Sequence, residues 1–150
     1  MPDLDDHAAV KLWGRVIRGY EATSRALQKE LRDRFDLSEA EVETLLDLAL
    51  RPEHFAPMKA LAQAASFSTG GFTKIADRLT DRGLTERVHC AKDRRVTYLA
   101  LTETGTRLAD DLTRAVATIN RELFIDALGE EKARDVAAAM TTLYHANTDR

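Results

Sequence analysis

Gly83 separates two incompatible periodicities, and this switch constrains the fold of the 150-residue chain more than any other feature. Before it, Phe72, Ile75, Ala76 and Leu79 recur at helical spacing. Ser68 is the best N-cap for that helix, and Gly83 is its stop. After it, "LTERVHC" (84–90) alternates, with Leu84, Glu86, Val88 and Cys90 on one face and Thr85, Arg87 and His89 on the other. "RVTYLAL" (95–101) is rich in β-branched and aromatic residues, and the polar "AKDR" lies between the two runs. The expectation is a pair of antiparallel strands with an exposed basic tip. Upstream, Pro57 suits the first turn of a short helix that carries Met58, Leu61 and Ala62 to about Ala65, before "SFS" (66–68) breaks the pattern. Residues 57–82 therefore read as helix, short turn, helix, and the strand pair that follows makes the motif winged.

The flanks are helical. Trp13, Val16, Ile17, Tyr20, Leu27 and Leu31 form one stripe of a helix over 7–34. "LSEAEV" (37–42) predicts a helix start, with Ser38 and Glu41 as a capping box and Leu37 stapled to Val42; that helix ends before Pro52. After Thr102 a helix over 103–127 keeps Leu108, Leu112, Ala115, Val116, Ile119, Leu123 and Phe124 on one stripe, and Gly129 separates it from a last helix over 130–146. The fold class expected is mainly α with a small β-hairpin: one winged helix-turn-helix domain over 1–150, flanked by N- and C-terminal helices.

A helix-turn-helix with a wing is an instrument for reading duplex DNA. Its second helix fits the major groove, and a basic hairpin tip reaches the narrow, electronegative minor groove. The charge distribution agrees with this use. Residues 55–100 carry eight basic and four acidic side chains, so that segment is +4 and the remainder −7 within a net charge of −3. Lys74 and Arg78 lie on the second helix, and Lys92, Arg94 and Arg95 at the tip. The long helices 7–34 and 103–146 have no part in reading a groove. Their apolar stripes call for a second copy, which assigns 37–101 to DNA and the flanking helices to a homodimer on a pseudo-palindromic site.

The run "LTDRGLTERVHCAKDRRVTYLALTETG" (79–105) resembles the MarR family of bacterial regulators in its leucine-rich helix end, glycine, strand, Asp-Arg-Arg, second strand and Leu-Thr-x-x-Gly. The resemblance implies a transcriptional regulator, typically a repressor, in a family of which many members release DNA on binding a small phenolic or other aromatic ligand. Matched residue by residue, it implies that Asp93 orients the wing and that Arg95, with Arg94, enters the minor groove. A bidentate carboxylate–guanidinium pair is the expected device. On the second helix it implies contacts from Ser68, Thr69, Gly70, Gly71, Thr73, Lys74 and Arg78, with Lys92 adding charge at the tip. Gly70 and Gly71 stand where Ser, Thr or Ala is common. They withhold side chains from the bases, so Thr73, Lys74 and the wing must supply more of the specificity. Free N–H groups of that first turn would face phosphate.

Other chemistries find little here. "STGGFTK" (68–74) has neither the P-loop spacing nor a strand before it, which leaves a nucleotide-binding enzyme without a motif. The four histidines share no metal-ligand spacing, and no cofactor or catalytic constellation stands out. The lone Cys90 is expected to be a small, partly buried hydrophobe rather than a redox sensor. Trp13 and Ile17 are one candidate lining for an effector pocket, between the first helix and the DNA-binding part, or equally dimer core. His54 and Met58, beside Phe55, are another. The acidic N-terminus lacks a signal sequence, and no apolar run would span a membrane, so a cytoplasmic protein is expected. The alternative function is a helical dimer that acts through protein partners without sequence-specific DNA binding.

Overall fold

The computed structural model describes residues 4–65, 67–93 and 95–148. Along the chain run α1 (Asp6–Phe35), α2 (Glu39–Leu50), β1 (Phe55–Pro57), α3 (Met58–Ala64), α4 (Thr69–Asp81), β2 (Thr85–His89), β3 (Thr97–Leu101) and α5 (Glu103–Asn120). A π-helical turn (Arg121–Ile125) and the short α6 (Asp126–Leu128) prolong α5, and α7 (Glu130–Thr148) closes the chain. The expected helix over 103–127 is thus present but widened near its end, a change no apolar spacing announces. None of the described helices is long and apolar enough to cross a membrane.

The chain forms two compact units, one of Leu31–Ala115 and one of the segments before Leu31 and after Ala115. In the central unit the start of α2 is the one the sequence encodes. The Ser38 N–H donates to the Glu41 carboxylate at 2.7 Å, and the Glu41 N–H returns to the Ser38 hydroxyl at 3.4 Å, completing the capping box. Leu37 and Val42, the two staple residues, are both buried. The core of this unit is built from Leu45, Leu48, Leu61, Phe72, Ile75, Leu79, Leu99 and Leu112. Burying such side chains stabilises the unit by about 1.5–3 kcal/mol each.

The sheet has three strands in the order β1–β3–β2, all antiparallel, where a two-stranded hairpin was expected. β1 pairs Phe55 with Ala100 and Pro57 with Tyr98, so Pro57 ends a strand and α3 starts one residue later. Three residues are too few to display an alternation. His54, at φ 56°, turns the chain into β1, and its carbonyl accepts the Leu101 N–H at 3.0 Å. The hairpin strands are shorter than 84–90 and 95–101, with Arg95 and Val96 belonging to the tip. Val88 is exposed, whereas Thr85, on the opposite phase, is buried. The expected apolar face of β2 is therefore corrected: only its first residue, Thr85, enters the core, and Glu86 to His89 run into solvent.

In the second unit, apolar side chains stay largely uncovered. On α1, Val10, Trp13 and Tyr20 are exposed, as are Met140, Leu143 and Tyr144 on α7; Ile119 and Ala133 are the buried apolar residues described there.

Candidate nucleic-acid interface

Backbone chemistry fixes both ends of α4. The Ser68 hydroxyl accepts the Gly71 N–H at 3.1 Å, the N-cap the sequence predicts. At the other end, Gly83 takes the left-handed conformation (φ 69°). Its N–H bonds the Thr80 carbonyl at 2.9 Å, and the Leu84 N–H bonds the Leu79 carbonyl at 3.0 Å, a Schellman pattern. The chain leaves this stop directly into β2. Arg82, at the helix end, donates to the Asp36 carbonyl at 2.7 Å and so ties α4 to the chain leaving α1.

The Leu-Thr-x-x-Gly element has a clear physical role. The Thr102 hydroxyl donates to the Gly83 carbonyl at 2.6 Å and accepts the Gly105 N–H at 3.0 Å, so it caps α5 and locks it to the turn after α4. Gly105 lies so close to the Leu84 carbonyl that a Cβ there would sit 1.8 Å from the oxygen. The motif is thus the joint that holds α4, the wing and α5 in one block.

Thr69, Thr73 and Arg95 line one groove of about 820 Å³ between α4 and the wing, together with Met58, Lys59 and Asp77. The Thr73 hydroxyl donates to the Thr69 carbonyl at 2.8 Å, which leaves its lone pairs and methyl group for an approaching base edge. Gly70 is exposed, and a Cβ there would meet nothing within 4 Å. Lys74 and Arg78 line the other flank of α4, facing the start of α2. There Arg78 stands 3.6 Å from the buried Glu41 carboxylate, so it serves the α2–α4 packing besides presenting charge. Burial, with Glu39 adding to it, pushes the nearby Glu43 carboxyl above its usual range.

At the wing tip, Lys92, Asp93 and Arg95 are exposed; Arg94 lies outside the described residues. The Asp93 carboxylate accepts the Arg95 backbone N–H at 2.9 Å, and the Asp93 carbonyl accepts the Val96 N–H at 3.0 Å. For Arg95 the expected guanidinium pair is therefore corrected: Asp93 sets the turn through the main chain and leaves the Arg95 side chain free to reach outward. The Cys90 N–H bonds the Val96 carbonyl at 3.0 Å to close the tip, and its thiol is partly buried.

The sequence did not disclose the contacts that join α4 to β2. Arg87 and Asp77 pair at 2.7 Å, and the Thr80 and Thr85 hydroxyls bond at 3.1 Å. Of the four effector candidates, Met58 lines the groove beside α4, and His54 forms the turn into β1. Trp13 and Ile17 are exposed on α1, in the other unit. Among the described residues no cluster of His, Cys, Asp and Glu could hold a metal ion.

No family model and no curated protein matches this chain. Solved structures do. AbsC, a MarR family transcriptional regulator from Streptomyces coelicolor, superposes with a TM-score of 0.87 over 100% of both chains at 23% identity. Sco3205, a MarR family regulator from the same organism in complex with DNA, gives 0.86 over 97% of this chain and 91% of that one, at 19% identity. NadR, in complex with 4-hydroxyphenylacetate, gives 0.72 over 95% and 97%, at 22% identity. At these identities the likeness establishes the fold, the winged helix-turn-helix of MarR regulators.

Proposed function

We propose that this chain is a cytoplasmic, homodimeric transcriptional regulator of the MarR type that represses by occupying a pseudo-palindromic operator. The observation that carries the proposal is the groove that brings Thr69 and Thr73 of a capped helix together with Arg95 of the wing. Helix α4 enters the major groove. Thr69, Gly70 and Gly71 approach the backbone closely, Ser68 holds the first turn, and Thr73 and Lys74 read base edges or phosphates. Arg95 enters the minor groove, helped by Arg94, with Lys92 adding charge and Asp93 fixing the turn. Arg78 contributes charge from the α2 side. Sco3205 supports this use of the fold, since its structure holds DNA.

The test is a gel shift and footprint on DNA from around the gene. A salt-sensitive, two-fold symmetric footprint is expected. Arg95→Ala should weaken it at least about tenfold while the dimer stays intact; unchanged affinity would remove the wing from the mechanism.

A small aromatic effector belongs to the same proposal, supported by the 4-hydroxyphenylacetate bound to NadR. Trp13 with Ile17 is one candidate contact pair, and His54 with Met58 is the other. Release of operator DNA by 4-hydroxyphenylacetate, lost in Trp13→Ala or in Met58→Ala, would choose between them.

A further inference from the structure

The wing is held to α4 by two cross-links that climb in step. Three residues along the helix, from Thr80 to Asp77, match two along the strand, from Thr85 to Arg87. These are the natural spacings of one face of a helix and one face of a strand. The inner rung is the Thr80–Thr85 hydroxyl pair at 3.1 Å, beside the turn from α4 into β2, where Thr85 is buried. The outer rung is the Arg87–Asp77 ion pair at 2.7 Å. A third rung on the same faces, four residues further along the helix and two along the strand, would join Thr73 to His89, but their hydroxyl and ring are bonded elsewhere. The Thr73 hydroxyl bonds back to Thr69, and the His89 ring stands 3.5 Å from the Thr97 hydroxyl. Beyond Asp77–Arg87 the groove therefore opens.

We propose that the Asp77–Arg87 ion pair is the strut that sets the distance between the DNA-reading helix and the wing, with Asp77 as the positioning residue. The inference rests on the DNA-binding function proposed above. A regulator that reads the major groove with Thr73 and the minor groove with Arg95 needs these two fixed relative to each other. On its α4 side the hairpin past Thr85 lies open, with β2 exposed from Glu86 to His89, while its other strand is held through β1 as far out as the Pro57–Tyr98 pairing. Asp77 pairs across ten positions of sequence, onto the strand that carries the tip.

The sign of its effect separates this role from plain electrostatics. A carboxylate on the DNA-facing groove repels phosphate, so if Asp77 were only a local charge, Asp77→Asn would tighten binding. As a strut, its loss weakens binding. The pair is half exposed, and such pairs contribute little to stability, so the fold should survive its removal.

The experiment compares wild type, Asp77→Asn, Arg87→Gln and the swapped Asp77→Arg/Arg87→Asp, each with and without Arg95→Ala, on the footprinted palindrome. Asp77→Asn and Arg87→Gln are expected to lose about tenfold in affinity with unchanged melting, and the swap to recover most of it. Arg95→Ala should cost at least about tenfold in wild type but less than about twofold beside Asp77→Asn, because the wing is then already misplaced. Tighter or unchanged binding by Asp77→Asn, or an equal Arg95→Ala penalty in both backgrounds, overturns the strut. If wild type binds no DNA, the proposed function falls, and amide exchange in the free protein judges the strut alone. Asp77→Asn should speed exchange of the Cys90 N–H at the tip and the swap should slow it again; unchanged exchange overturns the strut as well.

Discussion

A Cβ on Gly70 would meet nothing within 4 Å, whereas one on Gly71 would come 3.1 Å from the Ser68 hydroxyl and 3.5 Å from the Phe67 ring. The two adjacent glycines are therefore bare for different reasons. Gly71 makes room for its own N-cap. Nothing within the described structure requires Gly70, which is costly inside a helix; under the proposed function, close approach of DNA would account for it. Gly70→Ala should raise stability by up to ~1 kcal/mol through helix propensity and yet weaken operator binding. Thermal melting and a gel shift on the same sample would read the two opposite effects; equal or better binding would mean that DNA does not approach there. Gly105 is the contrasting case. Its missing Cβ is demanded from within, by a backbone oxygen that cannot rotate away, so Gly105→Ala should cost at least ~3 kcal/mol in chemical denaturation.

Among the elements, α4 shows what a sequence states openly. Ser68 and Gly83 bound it with side-chain and backbone bonds to residues three to five positions away. Such local determinants are readable without knowing the fold. Ser68→Ala should therefore cost ~1 kcal/mol of stability, measured by urea titration. If the proposed function holds, it should also loosen DNA binding, because the freed first turn frays where it meets phosphate. The same locality made the capping box at Ser38, the Schellman stop and the long flanking helices legible. What stayed hidden depends on chain segments meeting from a distance. β1 exists because Phe55–Pro57 lies against β3, more than forty residues away in sequence as the numbering gives it, and its three residues carry no pattern of their own. Thr85 is buried because it reaches Thr80 across the turn, against the alternation that put Val88 inside. Asp93 was legible as an organiser of the tip, but its partner is a main-chain N–H, which no residue type advertises. The candidate site residues on α4 and the wing were named from motif and charge; the Asp77–Arg87 cross-link between them was not, because both residues look like ordinary surface charges until the hairpin folds back.

At the scale of the whole molecule, the unbalanced quantity is apolar surface in the unit made of the chain ends. Val136, Met140 and Leu143 recur at i, i+4 and i+7 on α7 and are 38–41% exposed, while Trp13 is 56% and Tyr20 69% exposed on α1. Contiguous stripes of this kind are rare on monomers and usual at obligate interfaces. The proposed homodimer covers them with the same stripes of a second copy, which also brings two α4 helices to one operator. Two consequences can be separated. Melting should shift to higher temperature with protein concentration, since association stabilises the folded state. Leu143→Glu places a charge on the stripe and should shift the protein toward monomer in sedimentation velocity, with the central unit's winged fold unaltered by near-UV spectroscopy. Its affinity for an isolated half-site should stay near that of wild type, while affinity for the full palindrome falls at least about a hundredfold, because the second half-site no longer benefits from effective concentration. A Leu143→Glu protein that remains dimeric and still protects both half-sites would show that α7 does not carry the interface, and the apolar stripe of α1 would have to carry it alone.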